Sequence, residues 1–534
     1  MNAVSRRTAG LLLGVILLVA FGLRVWHLRH GLPFAYNADE AEHFVPKAIG
    51  MFSDGLDPGY YENPSALTYL LYLVFKVRYT AGFPFGGGIS AGAESAFFTA
   101  RFVVALIGTL VVLLTFWAGL RFADRRTGLV AAAVMAVAFL PVFYSKHALN
   151  DVVTLAPVTL GLVGSVFAFR SGRIEHWLLA GGAVGAATAT KYTAGAMLLT
   201  VVLAAALRVQ QDRTELRRAL LGVVVAGVAC LVVFALLNPF VVLHPSEARG
   251  QITGQSAQAD TAKLGQDDTY GWLYYLGTLT WGLGWAPLLT AVAGAVVILR
   301  RDWRLGLLLV AFPVCFYLYM GAQGRFFGRW LLPIYPALCV LAGIAAVAAV
   351  DLLRRHRGWA LAALTAVLCV QGLLASVHVD AVLGREDTRA EALRWVRENV
   401  PPGAPLVVEP FVPASWQEAL QRPLWPVPRP FQAYEKRLRV RQVDAFRRKG
   451  FCWVIVGSTQ KERGLKAGLT SSRNFYRVLD AASEETVRFS PFKAGADGPG
   501  FSYDSSFNYR PRDFERPGPV VEIHRLRDCT PAVG

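Results

Sequence analysis

The feature that most restricts this chain is its succession of apolar windows. Stretches of ~18 or more residues with few or no charges recur along much of its length. Such a window crosses a bilayer as a helix, because within hydrocarbon the backbone must satisfy its own hydrogen bonds. The chain therefore reads as an α-helical polytopic membrane protein. At 54% hydrophobic and 17% charged over 534 residues, it is too apolar for a soluble protein of this size. The net charge of +17 would, taken alone, point to nucleic acid. Much of that Lys and Arg instead lies in short loops between apolar segments, where cytoplasmic loops are expected to be positive. No aromatic–basic recognition module accompanies it. Nucleic acid is set aside as a partner, and membrane lipids take its place. No internal repeat is visible.

Topology follows from the charges. Arg6 and Arg7 put the N-terminus in the cytoplasm. The first apolar run continues to Val25-Trp26 without a clean small-residue exit, so it reads as an uncleaved anchor, not a signal peptide. It delivers the loop around Asp39 and Glu40 to the outer side. The next apolar piece, 64–78, is broken by Lys76 and Arg78. The loop Arg121 to Arg126 is strongly positive and belongs inside. A single crossing over 97–120 links the two sides, which leaves 64–78 as an interfacial or re-entrant helix. Crossings then follow at 128–145, 152–170, 177–191, 194–208, 219–237, 282–300, 305–321, 330–350 and 359–377. The inner ends carry Arg170, Arg173, Arg208, Arg217, Arg300, Arg301, Arg354, Arg355 and Arg357. The expectation is about eleven transmembrane helices plus interfacial helices, with the C-terminus outside.

Residues 1–380 are thus expected to form a transmembrane catalytic domain, and 385–534 a small soluble extracytoplasmic α/β domain. An amphipathic helix over Glu386 to Asn399 is stopped by Pro401-Pro402-Gly403. Strands are expected at 406–409, 452–456 and 520–524, and a long loop rich in Gly, Pro, Ser, Asn and Asp at 485–518. Of six cysteines, Cys230, Cys315, Cys339 and Cys369 fall in apolar segments as small core residues. Cys452 and Cys529 lie on or just beyond strands in an oxidising compartment, either as a disulfide or as two unpaired thiols. No Cys/His spacing suits a metal.

The chemistry gathers at the outer ends of the crossings. Asp39 and Glu40 leave the first span where a lipid-linked substrate would present its head group, with His43 just behind. The stretch Ala41 to Phe52 has the look of an amphipathic segment that pins them there. A carboxylate in a loop is ordinary in itself, but in a partly dehydrated cleft it can act as a general base toward a hydroxyl. Asn150-Asp151 opens a later crossing, as a second acid or merely a helix cap, with Lys146 and His147 beside it. Lys191, followed by Tyr192, stands amid mostly apolar residues, where it either marks a turn or faces a phosphate. Arg325 and Arg329 lie on the outer side against the positive-inside bias, and arginine is the natural fork for phosphate oxygens. The polar outer stretch after His244 could form a lid.

These residues in this order resemble the GT-C membrane glycosyltransferases. The similar branch is the phospholipid-carrier-dependent, family-39-like one that contains protein O-mannosyltransferases and the lipid A aminoarabinose transferase. The resemblance is carried by the outer Asp39-Glu40, by Tyr61-Glu62-Asn63-Pro64 before an in-plane helix, and by Asn150-Asp151. Thr190-Lys191-Tyr192 and the run Arg329 to Pro336 complete it, over roughly residues 9–380. It implies transfer of a sugar from a polyprenyl-phosphate donor to an extracytoplasmic glycan, lipid or protein acceptor. Asp39 would be the base, Glu40 its neighbour and Asp151 the second acid, while Arg329, Arg325 and Lys191 would hold the donor phosphate. His43, Tyr61, Glu62, Asn63, Lys146, His147, Asn150, Tyr192 and His244 would be possible substrate contacts. No cofactor or metal is called for. Where the aminoarabinose branch carries a lysine, this chain has Asn63, which shifts phosphate binding to other cations. Two alternatives stand beside the transferase: a transporter or flippase of lipid-linked sugars, or a membrane scaffold whose outer domain binds a partner.

Overall fold

The computed structural model describes residues 5–79, 89–353, 355–427 and 433–532; Arg354 lies outside them. Among the described residues, nine helical stretches are long and apolar enough to cross a membrane. They coincide with nine of the expected crossings. The other two crossings are shorter or interrupted helices. Residues 174–190 form a 17-residue helix, Ile174–Thr190. Residues 125–144 form Arg125–Val137 and Phe139–Tyr144, interrupted at Ala138. Pro141 has no N–H to give to the Val137 carbonyl, which accepts from Ser376 Oγ at 3.2 Å instead. The apolar piece expected to lie in the interface is the 13-residue helix Ala66–Arg78. At ~20 Å it falls well short of a ~30 Å hydrocarbon core.

The stretch Gly328–Asp351 is buried along its whole most apolar window, whereas Arg213–Leu237 and Arg357–Asn399 bury 17% of theirs. The first is the centre of the bundle and the others present apolar faces outward, as lipid-facing helices do. Lys146 and Asp380 inside the bundle are paired. Lys146 Nζ lies 2.8 Å from Asp380 Oδ1 and donates to the Trp26 carbonyl at 2.7 Å, and Lys146 is wholly buried. The expectation that Lys146 contacts substrate is overturned, because an ammonium at this depth is tolerable only when neutralised where it stands. The outer stretch expected over 238–281 is also more ordered than anticipated: Pro245–Ala259 is a polar helix, and the following crossing already begins at Gly271.

Beyond the last long helix, Thr388–Asn399 continues after a cap by the Asp387 carboxylate. Four strands follow: β1 (Leu406–Val408), β2 (Trp453–Gly457), β3 (Ser483–Phe489) and β4 (Val521–Leu526). The sheet order is β1-β2-β4-β3, with β1 parallel to β2 and the other pairs antiparallel. The expected 485–518 loop is therefore corrected at its start. Ser483–Phe489 is an edge strand whose charged, largely exposed side chains conceal it from a hydrophobic pattern. Cys452 and Cys529 are joined by a disulfide, Cα–Cα 5.5 Å, at the end of the β2–β4 pair. Phe34 and Tyr36 of the first loop pack against the core of this unit, and the Arg389 guanidinium sits 3.6 Å over the Tyr36 ring. The sheet unit and the acid-bearing loop thus sit at one end of the bundle.

Candidate active site

A cleft of about 190 Å³ opens at that end. Asp39 enters it one residue before the turn Glu40–Phe44, a wide helical turn in which successive side chains point in different directions. Asp39 faces the cleft; Glu40 turns away and is fully buried. Glu40 meets Arg101 in a two-pronged pair, Nε to Oε1 and NH2 to Oε2 at 2.8 Å each, and accepts the Ala148 N–H at 2.9 Å. Burial would raise the Glu40 carboxyl, but Arg101 outweighs it and holds the group below its ordinary range. With both oxygens committed, Glu40 braces the loop and does not touch the cleft. Arg101 was missed in the sequence, although a lone arginine inside an apolar helix already calls for a buried partner.

Asp39 is half-buried, with Oδ2 accepting from Arg329 NH2 at 2.5 Å. Burial pushes its pKa up, but the Arg329 charge and, behind it, His43 bring it below the ordinary value, so it is ionised at neutral pH. Across the cleft, Asp151 Oδ1 accepts from Lys191 Nζ at 2.6 Å, and its Oδ2 lies 3.8 Å from Arg329 Nε. Arg329 therefore bridges the two acids, which the sequence separates by more than a hundred residues. Asn150 also lines the cleft and donates to the Thr190 carbonyl at 2.7 Å, tying the start of one helix to the end of another.

His43 stacks on Tyr60 at 4.5 Å, and Asn63 donates to the Tyr60 hydroxyl at 2.6 Å; these residues and Glu62 all line the cleft. Other expected contacts are displaced. Tyr61 is buried and donates to Asp57 at 2.7 Å, and the Tyr192 hydroxyl donates to the Tyr61 carbonyl at 3.1 Å. His244 pairs with Asp57 at 2.9 Å. His147 is buried against His30, with ring centroids 4.9 Å apart. Tyr61, Tyr192, His244 and His147 do not line the cleft in this structure and support its surroundings.

Two cations remain without a carboxylate partner among the described residues, Arg325 and Lys263, and both line the cleft. Arg325 Nε is buried and makes no hydrogen bond. The Lys263 ammonium lies over the rings of Tyr503 and Phe327 at 4.6 and 5.2 Å. Burial lowers Lys263 to about 8, with Asp39 opposing the shift. Its only sequence signal was a place in the polar outer stretch. Gln255 and Gln258 of Pro245–Ala259 complete the wall, so that stretch covers the cleft as a helix. In all, four cations face three carboxylates, Asp39, Glu62 and Asp151. Among the described residues, no group of three or more His, Cys, Asp or Glu is gathered where it could hold a metal ion.

Known proteins share this architecture. Residues 91–238 match the family model described as dolichyl-phosphate-mannose-protein mannosyltransferase. The chain is similar to the Archaeoglobus fulgidus oligosaccharyltransferase in its apo form, with 14% identity over 94% of this chain and 75% of that one, TM-score 0.54. It is also similar to ArnT from Cupriavidus metallidurans bound to undecaprenyl phosphate, with 16% identity over 96% and 97% of the two chains, TM-score 0.52. A third likeness is the A. fulgidus oligosaccharyltransferase AglB in complex with an inhibitory peptide and a dolichol-phosphate, at 12% identity over 93% and 74%, TM-score 0.52. No curated protein matches the chain by sequence.

Proposed function

We propose, for a chain that belongs with the GT-C membrane glycosyltransferases by its fold and its mannosyltransferase-family segment, that it moves a sugar from a polyprenyl-phosphate donor to a hydroxyl or amine on the outer side of the membrane. In this reading residues 1–380 are the catalytic part, 385–534 cover the site from outside, and the N-terminus is cytoplasmic. The observation that carries the reading is the cleft itself. An ionised, cation-positioned carboxylate shares a small cavity at the end of the spanning helices with two cations that lack acidic partners.

Arg329 and Lys191 are already engaged by Asp39 and Asp151. The donor phosphate therefore falls first to Arg325 and Lys263, with Arg329 close enough to share the load. With four cations against three carboxylates, the cleft accommodates the single negative charge of a sugar phosphodiester. As the bond from the anomeric carbon to the phosphate oxygen breaks, a second charge develops on the leaving lipid phosphate, and cations fixed in place stabilise it. Asp39 has carboxylate lone pairs that Arg329 does not occupy, and takes the proton from the attacking acceptor group. Attack from the face opposite the phosphate inverts the anomeric carbon. Asp151 holds Lys191 and Arg329 in place.

The test is Asp39→Asn in purified, membrane-reconstituted protein. Transfer should be lost while undecaprenyl phosphate still binds; retained transfer removes Asp39 from the chemistry. Mass spectrometry of outer-surface glycans and glycoproteins from a strain lacking the chain would identify the sugar and acceptor. Lipid movement without modification of any acceptor would favour a flippase instead.

A further inference from the structure

A second cavity, of about 370 Å³, lies at the seam between the bundle and residues 502–510 of the C-terminal unit. It falls within the ~300–1,000 Å³ range of ligand sites, and nothing in the mechanism uses it. One side is the helix Gly271–Leu279, whose Leu273 and Leu276 are exposed on the apolar surface. The cavity is thus open at the level where membrane meets water.

Its lining mixes polar and apolar surface and is incompletely satisfied. Asn508 is 1% exposed; its Oδ1 accepts the Arg510 N–H at 3.1 Å, but its Nδ2 has no partner. A buried amide without a partner costs free energy where it stands, in the wall of the cavity. Asp504 accepts from Gly328 N–H at 3.2 Å and from the Tyr274 hydroxyl, which leaves lone pairs on both oxygens. Ser502 Oγ accepts from two backbone N–H groups and keeps its proton to donate. The Arg510 guanidinium lies over the Trp281 ring at 4.8 Å and has no carboxylate within ion-pair distance among the described residues. Donors and acceptors are therefore both present in the wall of the cavity. A hydroxyl, which donates and accepts at once, matches that pattern. A phosphate accepts only and would face the Asp504 and Asp267 carboxylates in the wall.

The cavity also backs onto the cleft. Asp504 holds the N–H of Gly328, the residue before Arg329. A side chain at position 328 would come within 2.9 Å of Thr278 and 3.2 Å of Asp504, so only glycine lets the turn approach this closely. We propose that this cavity is a subsite for the uncharged, hydroxyl-rich sugar head of a membrane-resident acceptor. The proposal rests on the transferase reading and deepens it, since it names a carbohydrate as the part of the acceptor that is recognised.

The test uses the full-length protein in bilayer nanodiscs free of glycolipid. The probe is an alkyl β-maltoside carrying a photoreactive diazirine on its sugar head, with a phosphocholine-headed probe carrying the diazirine on its head group as control. The maltoside should label residues 271–281 and 502–510, free maltose should compete, and the control should not label there. Ser505→Trp, which fills the cavity, and Ser502→Ala, which removes the free hydroxyl proton, should each cut labelling about tenfold. Undecaprenyl phosphate binding should survive in both and certify their folding. Equal labelling by both probes, or labelling that both variants leave unchanged, overturns the proposal. Asp39→Asn should leave labelling intact; a wild-type protein that transfers sugar without being labelled sinks the subsite alone, and one that is labelled but moves lipid without modifying any acceptor sinks the transferase reading alone.

Discussion

The cleft and the Glu409 site in the core of the C-terminal unit both remove a carboxylate from water, and they neutralise it by opposite means. In the cleft every buried acid meets a fixed cation: Asp39 meets Arg329, Asp151 meets Lys191, and Glu40 behind them meets Arg101. In the C-terminal unit Glu409, 1% exposed, meets the hydroxyls of Tyr476 and Tyr434 at 2.7 and 3.1 Å and one backbone N–H, but no cation. Burial lifts Glu409 to about 7, with the tyrosines only partly opposing it. The difference separates a site that needs charge from a core that tolerates a proton. Even within the cleft loop the contrast repeats at one-residue spacing. Glu40 is held on both oxygens and is inert, whereas Asp39 is held on one and keeps the other for chemistry.

The comparison breaks first at Asp39. Replacing it by Asn should reduce transfer by about 10³-fold, within the ~10²–10⁴ range for a lost general base, with an unchanged melting temperature. Because the Asp39 pKa lies below the ordinary range, the wild-type rate should stay flat through neutral pH and fall only in acid. Arg101→Ala should show the reverse balance. It strands Glu40 in the interior and should cost ~3–5 kcal/mol of stability, read as a large drop in melting temperature in detergent; an unchanged melting temperature would refute the bracing role.

Glu409→Gln sharpens the other side. A carboxyl raised to about 7 when folded stays protonated while the unfolded chain ionises. Stability of the C-terminal unit should therefore fall as pH rises from the ordinary carboxyl range to about 7, by up to ~3 kcal/mol, and then level off. The Gln variant should lose that slope, which thermal unfolding followed across the pH series would detect. The smallest effect is expected at Lys263. Lys263→Ala should weaken undecaprenyl phosphate binding about tenfold and leave the melting temperature in place. Binding that does not change would leave the donor phosphate to Arg325 and Arg329.

Much of the architecture is legible in the order of the residues alone. Uncharged windows identify helices in lipid, so most of the long spans can be read directly, and so can the short helix Ala66–Arg78 that cannot cross. Three of the four strands are visible as β-branched and aromatic runs. Ser483–Phe489 is not, because an exposed edge strand carries charge where a buried one carries a pattern. In the site, Asp39, Asp151, Lys191, Arg325 and Arg329 can be singled out because each is a charge in a place that penalises it. Lys263 cannot, because a lysine in a polar stretch is unremarkable until the stretch folds over a cleft. The same signal of a misplaced charge misleads at Lys146, whose compensation is Asp380 and not a ligand.

Residue order alone dictates which segments must leave water and which end of each carries polar chemistry, because hydropathy and charge placement act locally along the chain. The tertiary structure alone decided the partners. Asp39 reaches Arg329, Glu40 reaches Arg101 and Asp504 reaches Gly328 only when helices distant in sequence pack side by side. A buried charge declares that it needs a counter-charge, but only packing chooses which residue supplies it.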